Sequence, residues 1–321
     1  MQTWSTLFRA TALAVAGLVA QSAGAAYPER AIQIVVPFAA GSPPDLLARV
    51  LAEGWKRSGF AEATIVNQPG VGGSLGVAQV AKAAPDGYTV AIAGDAAVLV
   101  NPALYPERAL SPLNDLAPVS QLIVTPTVLV VGKDLPVSNL AELLALARAK
   151  PGELSFASAG AGTSSRRNGE LLKQAAGVNL LHVPYKTSPT VDVVAGRVTM
   201  FFAPPSVAPM VADGRLRALA VSSPGRLARF PDVPTTSEAG FPQVNSLAWF
   251  GLVAPAGTPM DRVERLRDEA AKVMQDPAAA KQLETLGGSP VLSSPKEFRD
   301  LIARELPRWR EFVREVGIQP D

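Results

Sequence analysis

One local pattern occurs twice in this chain and constrains its fold more than any other feature. Ile34-Val35-Val36-Pro37-Phe38 is a short apolar run that opens into Ala39-Ala40-Gly41-Ser42 and then Pro43-Pro44-Asp45. Leu154 to Ala157 opens in the same way into Ser158-Ala159-Gly160-Ala161-Gly162-Thr163-Ser164 and the segment from Ser165. An apolar run bounded by turn residues suits a parallel strand covered on both faces. Small residues let another molecule come close to the backbone. A helix that follows directly places N–H groups and the positive end of its dipole over the strand's C-terminal edge, where anions bind. Two such units more than a hundred residues apart, one per lobe, predict two lobes that face each other across a cleft.

The two helix starts differ in chemistry. Ser42 is expected to cap the first helix, with Pro43 in the first turn and Asp45 closing a capping box. Pro43 and Pro44 have no N–H, so the donors left there are those of Ala40, Gly41, Ser42 and Asp45. The second start is rich in hydroxyls, and Arg166 and Arg167 follow in its first turn. Cations there oppose the helix dipole. An anionic ligand would relieve that conflict, and solvation of both arginines is the plainer alternative.

Around these starts, periodicity predicts strands at 32–36, 63–67, 88–93, 118–124, 127–131, 154–157, 180–184, 198–202, 216–221 and 248–254. Helices are expected at 43–57, 75–84, 139–149, 165–176, 191–195, 206–213, 259–275, 277–286 and 296–316. Gly94-Asp95 reads as a loop, and 226–243 as a loop with one short helix. The order strand, helix, strand, helix, strand at the start argues for a parallel α/β sheet.

Composition removes several function classes. The 28 acids nearly match the 30 bases, so no basic field asks for nucleic acid. There is no cysteine and a single histidine, His182, so disulfides and thiolate metal sites are excluded and neither a metal nor a cofactor is expected. Residues 1–25 carry one charge, Arg9, an apolar run from Thr11 to Ala20, and Ala23-Gly24-Ala25. This reads as a secretory signal peptide cleaved after Ala25, because the run is shorter than the ~20 apolar residues a membrane span needs. Export would place a bacterial protein in the periplasm.

Gly72-Gly73-Ser74-Leu75-Gly76 matches the G-x-S-x-G nucleophile elbow. Its triad would need His182 as base. The elbow should follow a strand directly, but Pro69 and Gly70 intervene, and His182 sits in an apolar strand pattern. A serine hydrolase is therefore the alternative and no catalytic residue is assigned. Trp249-Phe250 could line the cleft or belong to the core.

Several ordered motifs resemble the Bug proteins, substrate-binding receptors of tripartite tricarboxylate transporters. They are Tyr27-Pro28-Glu29-Arg30, Val35-Val36-Pro37-Phe38 with Gly41 and Asp45, and Asn67-x-Pro69-Gly70-x-Gly72-Gly73. Pro85-Asp86-Gly87-Tyr88-Thr89, Asn101-Pro102-x-Leu104-Tyr105 and Ser158-x-Gly160-x-Gly162-Thr163-Ser164 follow. His182-Val183-Pro184-Tyr185-Lys186, Pro231-Asp232-Val233-Pro234-Thr235 and Trp249-Phe250-Gly251-Leu252 complete a series that spans the mature chain.

The resemblance implies an α/β, two-lobed periplasmic binding protein of the type II, Venus-flytrap kind. Lobe one would be 27–121 plus 250–321, and lobe two 122–249. The implied ligand site is Phe38, Ala39, Ala40, Gly41 and Ser42 from one lobe and Ser158, Gly160, Ala161, Gly162, Thr163 and Ser164 from the other. Asp45, Gly94, Asp95, Arg166, Tyr185 and Ala203 complete the candidate set. The family often has His-Leu where this chain has Arg166-Arg167, and often an acid at the position of Ala203. Both departures argue for a di- or tricarboxylate or an aromatic acid over an amino acid. The implied partners are this small organic anion and the membrane subunits of a tripartite transporter, or a signalling protein that reads the closed form. The receptor is expected to be a monomer.

Overall fold

The computed structural model describes residues 27–105, 110–160, 162–185, 188–285 and 287–317. The expected leader, Ala161 and Lys186 lie outside the described residues. The chain opens with β1 (Ile32–Val36), α1 (Pro43–Arg57), β2 (Ala63–Asn67), α2 (Ser74–Ala81) and β3 (Thr89–Gly94). It continues through β4 (Leu116–Thr125), β5 (Val128–Gly132), α3 (Leu140–Ala149), β6 (Ser155–Ser158), α4 (Ser164–Ala176), β7 (Leu181–Pro184), β8 (Met200–Ala203) and β9 (Leu216–Val221). β10 (Ala248–Pro255), α5 (Met260–Gln275), α6 (Pro277–Thr285), β11 (Ser289–Pro290) and α7 (Pro295–Val316) complete it. No helix among the described residues is long and apolar enough to cross a membrane.

The strands form two mixed sheets. The first has the order β11-β4-β10-β3-β1-β2 and the second β7-β6-β8-β5-β9. The repeated pattern yields matching units: β1 pairs in parallel with β2, and β6 with β7. The parallel reading holds for β1, β2 and β3 but not for the whole sheet. β10 returns from the second sheet and runs antiparallel to both β3 and β4.

Packing follows the apolar spacing. Leu47, Leu51 and Trp55 recur at helical intervals on α1 and are fully buried against Ile32, Ile34 and Ile92 of the first sheet. Burying a side chain of this size contributes about 1.5–3 kcal/mol. A second cluster covers the other face of that sheet through Phe298, Ile302 and Trp309 of α7. The second sheet is likewise covered on both faces.

Four local expectations change. Ser42 does not cap α1: its hydroxyl donates back to the Ala39 carbonyl at 2.6 Å, and Asp45 accepts from the Gly41 N–H at 2.9 Å. A capping box forms instead at α7, between Ser294 and Glu297. Asp95 is no loop residue, because the chain turns at once into a π-helical turn (Ala96–Val100) and a short helix (Asn101–Leu104). The segment 226–243 is a succession of turns without the expected helix, since Pro231, Pro234 and Pro242 remove donors there.

Candidate functional site

A chamber of about 240 Å³ lies where the two sheets meet. Its floor is the pair of crossing strands. Thr125 ends β4, and only Pro126 and Thr127 separate it from β5; Ala248 and Phe250 belong to β10. Phe38 and Asp95 line the chamber from the first lobe, and Thr163, Ser164, Ser165, Phe201 and Phe202 from the second. Phe38 and Phe250 meet edge-to-face with centroids 5.8 Å apart. Gly94 makes room for this pair, because a Cβ there would stand 3.1 Å from Phe250.

The first loop shapes the chamber through Phe38. Ala39, Ala40 and Gly41 are exposed and do not line it. Ser42 is half-buried and tied to Ala39. Asp45 is fully buried behind the loop and binds it in place. It accepts from Gly41 N–H, from Asn67 Nδ2 at 2.8 Å and from Arg49 Nε at 2.9 Å. Burial opposes its charge, but the bonds from Arg49, Gly41 and Asn67 outweigh it and hold the carboxyl below the usual range. The position of Gly41, at φ +80°, is one that glycine adopts freely.

The second loop supplies the polar wall. Thr163 caps α4: its Oγ1 accepts from the Arg166 N–H, donates to the Gly160 carbonyl at 2.8 Å and contacts Ser165 Oγ at 2.8 Å. Ser165 Oγ accepts from the Ala159 N–H at 3.2 Å. Gly160 has φ +124°, in the range that favours glycine. Gly162 reaches the opposite lobe, with a Cβ position 3.2 Å from Val100 Cγ1. Ser158 is buried beneath the loop, 2.7 Å from His182 Nε2. Ala203 is buried in β8 opposite Val128 and does not line the chamber, although its neighbours Phe202 and Pro204 do. Tyr185 lies apart and donates its hydroxyl to Asp192 at 2.7 Å.

The two arginines do not point into the chamber. Arg166 pairs with Glu170, one turn along α4, at 2.7 Å. Arg167 reaches the other lobe, 3.9 Å from Glu305 and 4.3 Å above the ring of Trp309 on α7. Protein carboxylates thus meet the cations that oppose the α4 dipole. Asp95 is the one ionisable side chain in the chamber wall among the described residues. Burial pushes its carboxyl up to about 7, against the Ala96 N–H and the charge of Arg167. Nor do Ser74 and His182 meet. Ser74 Oγ accepts from Asn101 Nδ2 at 2.6 Å, and His182 is engaged with Ser158.

Phe201, Phe202, Pro126 and Thr127 were not anticipated as wall residues. The adjacent phenylalanines in a strand and a Thr-Pro-Thr break between two apolar strands were the available signals. Trp249 and Phe250 divide: Phe250 faces the chamber, and Trp249 packs on Phe298 on the other side of the strand.

The chamber thus sets a polar helix start against aromatic walls, and the chain as a whole is similar to known proteins. The model of the tripartite tricarboxylate transporter family receptor matches residues 47–318. Protein BugT of Bordetella pertussis is 36% identical over 309 residues, covering 95% of each chain. The structure of periplasmic binding protein BugD superposes with a TM-score of 0.77 at 30% identity, over 92% of this chain and all of that one. R. palustris Rpa4515 with adipate gives 0.80 at 32% identity over the same shares. The chain therefore belongs to the tripartite tricarboxylate transporter receptor family.

Proposed function

We propose that this chain is an exported, monomeric solute receptor that closes on a small organic acid and delivers it to tripartite transporter subunits in the membrane. The carrying observation is the α4 start, Thr163 to Ser165, set against Phe38, Phe201, Phe202 and Phe250 in one chamber. Its backbone donors and dipole suit a carboxylate. The aromatic walls suit an apolar body. No lysine or arginine lines the chamber among the described residues, so a compact tricarboxylate would lack counter-cations. The reading favoured here is a dicarboxylate with an apolar middle, or an aromatic acid. Adipate, present in the Rpa4515 structure, has that form.

Residues 27–121 and 250–321 act as one lobe and 122–249 as the other, and ligand selects the closed arrangement. In this reading the ligand contacts are Phe38, Asp95, Gly162, Thr163 and Ser164. Ala39 to Ser42, Asp45, Gly94, Ser158 and Gly160 shape the two loops. The protein performs no turnover, and Ser74→Ala leaves binding intact. Thermal shift with adipate, malate, citrate and benzoate tests the proposal. An acid that binds stabilises by RT ln(1+[L]/Kd). A flat response to all four, or a turnover lost in Ser74→Ala, refutes it.

A further inference from the structure

A second and larger pocket, of about 630 Å³, lies on the opposite face of the crossing strands. Strand alternation separates the two spaces: Ala248 and Phe250 face the chamber, Leu247 and Trp249 the rear pocket. Both lobes contribute to its wall. Arg167 comes from α4, and Arg304, Glu305, Arg308 and Trp309 come from α7.

The wall sets three guanidiniums, Arg167, Arg304 and Arg308, against two carboxylates, Glu305 and the buried Asp95, which lines both spaces. Glu305 is the shared partner of three guanidiniums: Arg308 at 2.9 Å, Arg304 at 3.5 Å and Arg167 at 3.9 Å. One carboxylate offers two oxygens, whereas each guanidinium carries five N–H donors. Arg167 Nε is buried with no hydrogen-bond partner among the described residues. Buried donors are nearly always satisfied, and an exception points to a missing acceptor. Arg304 and Arg308 stand one helical turn apart at the rim, both more than half exposed. Paired guanidiniums are suited to bidentate contact with oxyanions.

We propose that the rear pocket is a second binding site, for a small anion bearing two or more oxyanion groups, gripped by Arg304, Arg308 and Arg167. Trp249 and Trp309 line the pocket beside them and offer apolar wall to its body. The occupant bridges the lobes, so it favours their present arrangement and, by reciprocity, the affinity of the front chamber changes with it. The site does not depend on the identity of the front ligand.

Isothermal titration of the mature chain at low ionic strength, with citrate and with inorganic pyrophosphate, tests this. The two probes separate carboxylate from phosphate recognition. At least one is expected to bind saturably, with an affinity that falls about 10-fold or more in Arg304→Gln/Arg308→Gln and stays within about 2-fold in the front-chamber variant Phe38→Ala. Arg304→Lys/Arg308→Lys keeps the charge and recovers part of the affinity, which guards against misreading a folding defect. No saturable binding of either probe overturns the proposal. So does an affinity that drops with the front-chamber variant, or one that survives removal of both rim charges.

Discussion

Arg167 of α4 lies 4.3 Å above the ring of Trp309 on α7, and the two residues belong to different lobes. Arg166, its neighbour in sequence, is bound to Glu170 within its own helix. The two adjacent arginines should therefore fail differently. A cation over an indole contributes about 0.5–2 kcal/mol depending on desolvation. Arg167→Ala is expected to weaken ligand binding by roughly 3- to 30-fold, because it removes a contact between lobes. Among the described residues, Arg166→Ala leaves the buried Glu170 paired with Lys173 alone, at 3.8 Å. It should instead lower the melting temperature. Ligand titration and thermal melts of the two single variants distinguish these outcomes.

Gly162 is a test of closure itself. Its Cβ position is 3.2 Å from Val100 in the facing lobe, and its backbone is not in the left-handed region. Gly162→Val should fold normally and act as a wedge. Affinity for the bound acid is expected to drop about 10-fold or more, with a melting temperature of the free protein changed by no more than about 2 °C.

Asp95 makes stability depend on pH in an unusual direction for a carboxyl. Its folded-state pKa, about 7, lies above the unfolded value near 4. The folded protein therefore holds the proton more tightly. The stabilisation is full below about pH 4 and is lost as pH rises through about 7. Asp95→Asn should flatten the melting temperature between about pH 5 and about pH 8, where the wild type declines. A protonated Asp95 can also donate to a second carboxylate of a diacid. Adipate affinity should then weaken as pH rises through that window and lose this dependence in Asp95→Asn.

Asn168 anchors the hinge. It is fully buried, donating to Thr127 Oγ1 at 3.0 Å and the Ser246 carbonyl at 2.9 Å, and accepting from the Ser246 N–H at 2.9 Å. Thr127 in turn bonds Ser222. Both passages of the chain between lobes are held to α4 by this one amide. Asn168→Ala strands the Ser246 backbone groups and should cost about 2–4 kcal/mol in chemical denaturation.

Much of the fold was legible because its signals are local. The repeat of apolar run, small-residue loop and helix start located β1-α1 and β6-α4, the parts that frame the chamber. Hydroxyls at Thr163 and Ser164 announced a polar helix start. The direction of a long side chain was not legible. Arg166 and Arg167 share a first turn, and only the distant residue Glu305 on α7 and its neighbour Trp309 explain where Arg167 goes. Asp95 looked like a loop residue because a π-helical turn has no distinct sequence pattern. Its neighbours Arg167 and Trp249 are both more than seventy residues away in the chain. Asp45 carried a capping signature, but a proline-rich first turn diverted it to Gly41 and Asn67.

The antiparallel ladder of β4 and β10, from Thr125 with Ala248 to Leu116 with Pro255, also determines how the lobes can move. Two hydrogen-bonded strands side by side behave as a ribbon. A ribbon bends readily across its flat face and resists shear along its length, because sliding would break every rung at once. Such a pair of strands favours a swing of the lobes about one axis over a slide, as two pins do for a door. The front chamber and the rear pocket lie on opposite faces of that ribbon and share it as a wall, so anything that displaces the ribbon is felt in both.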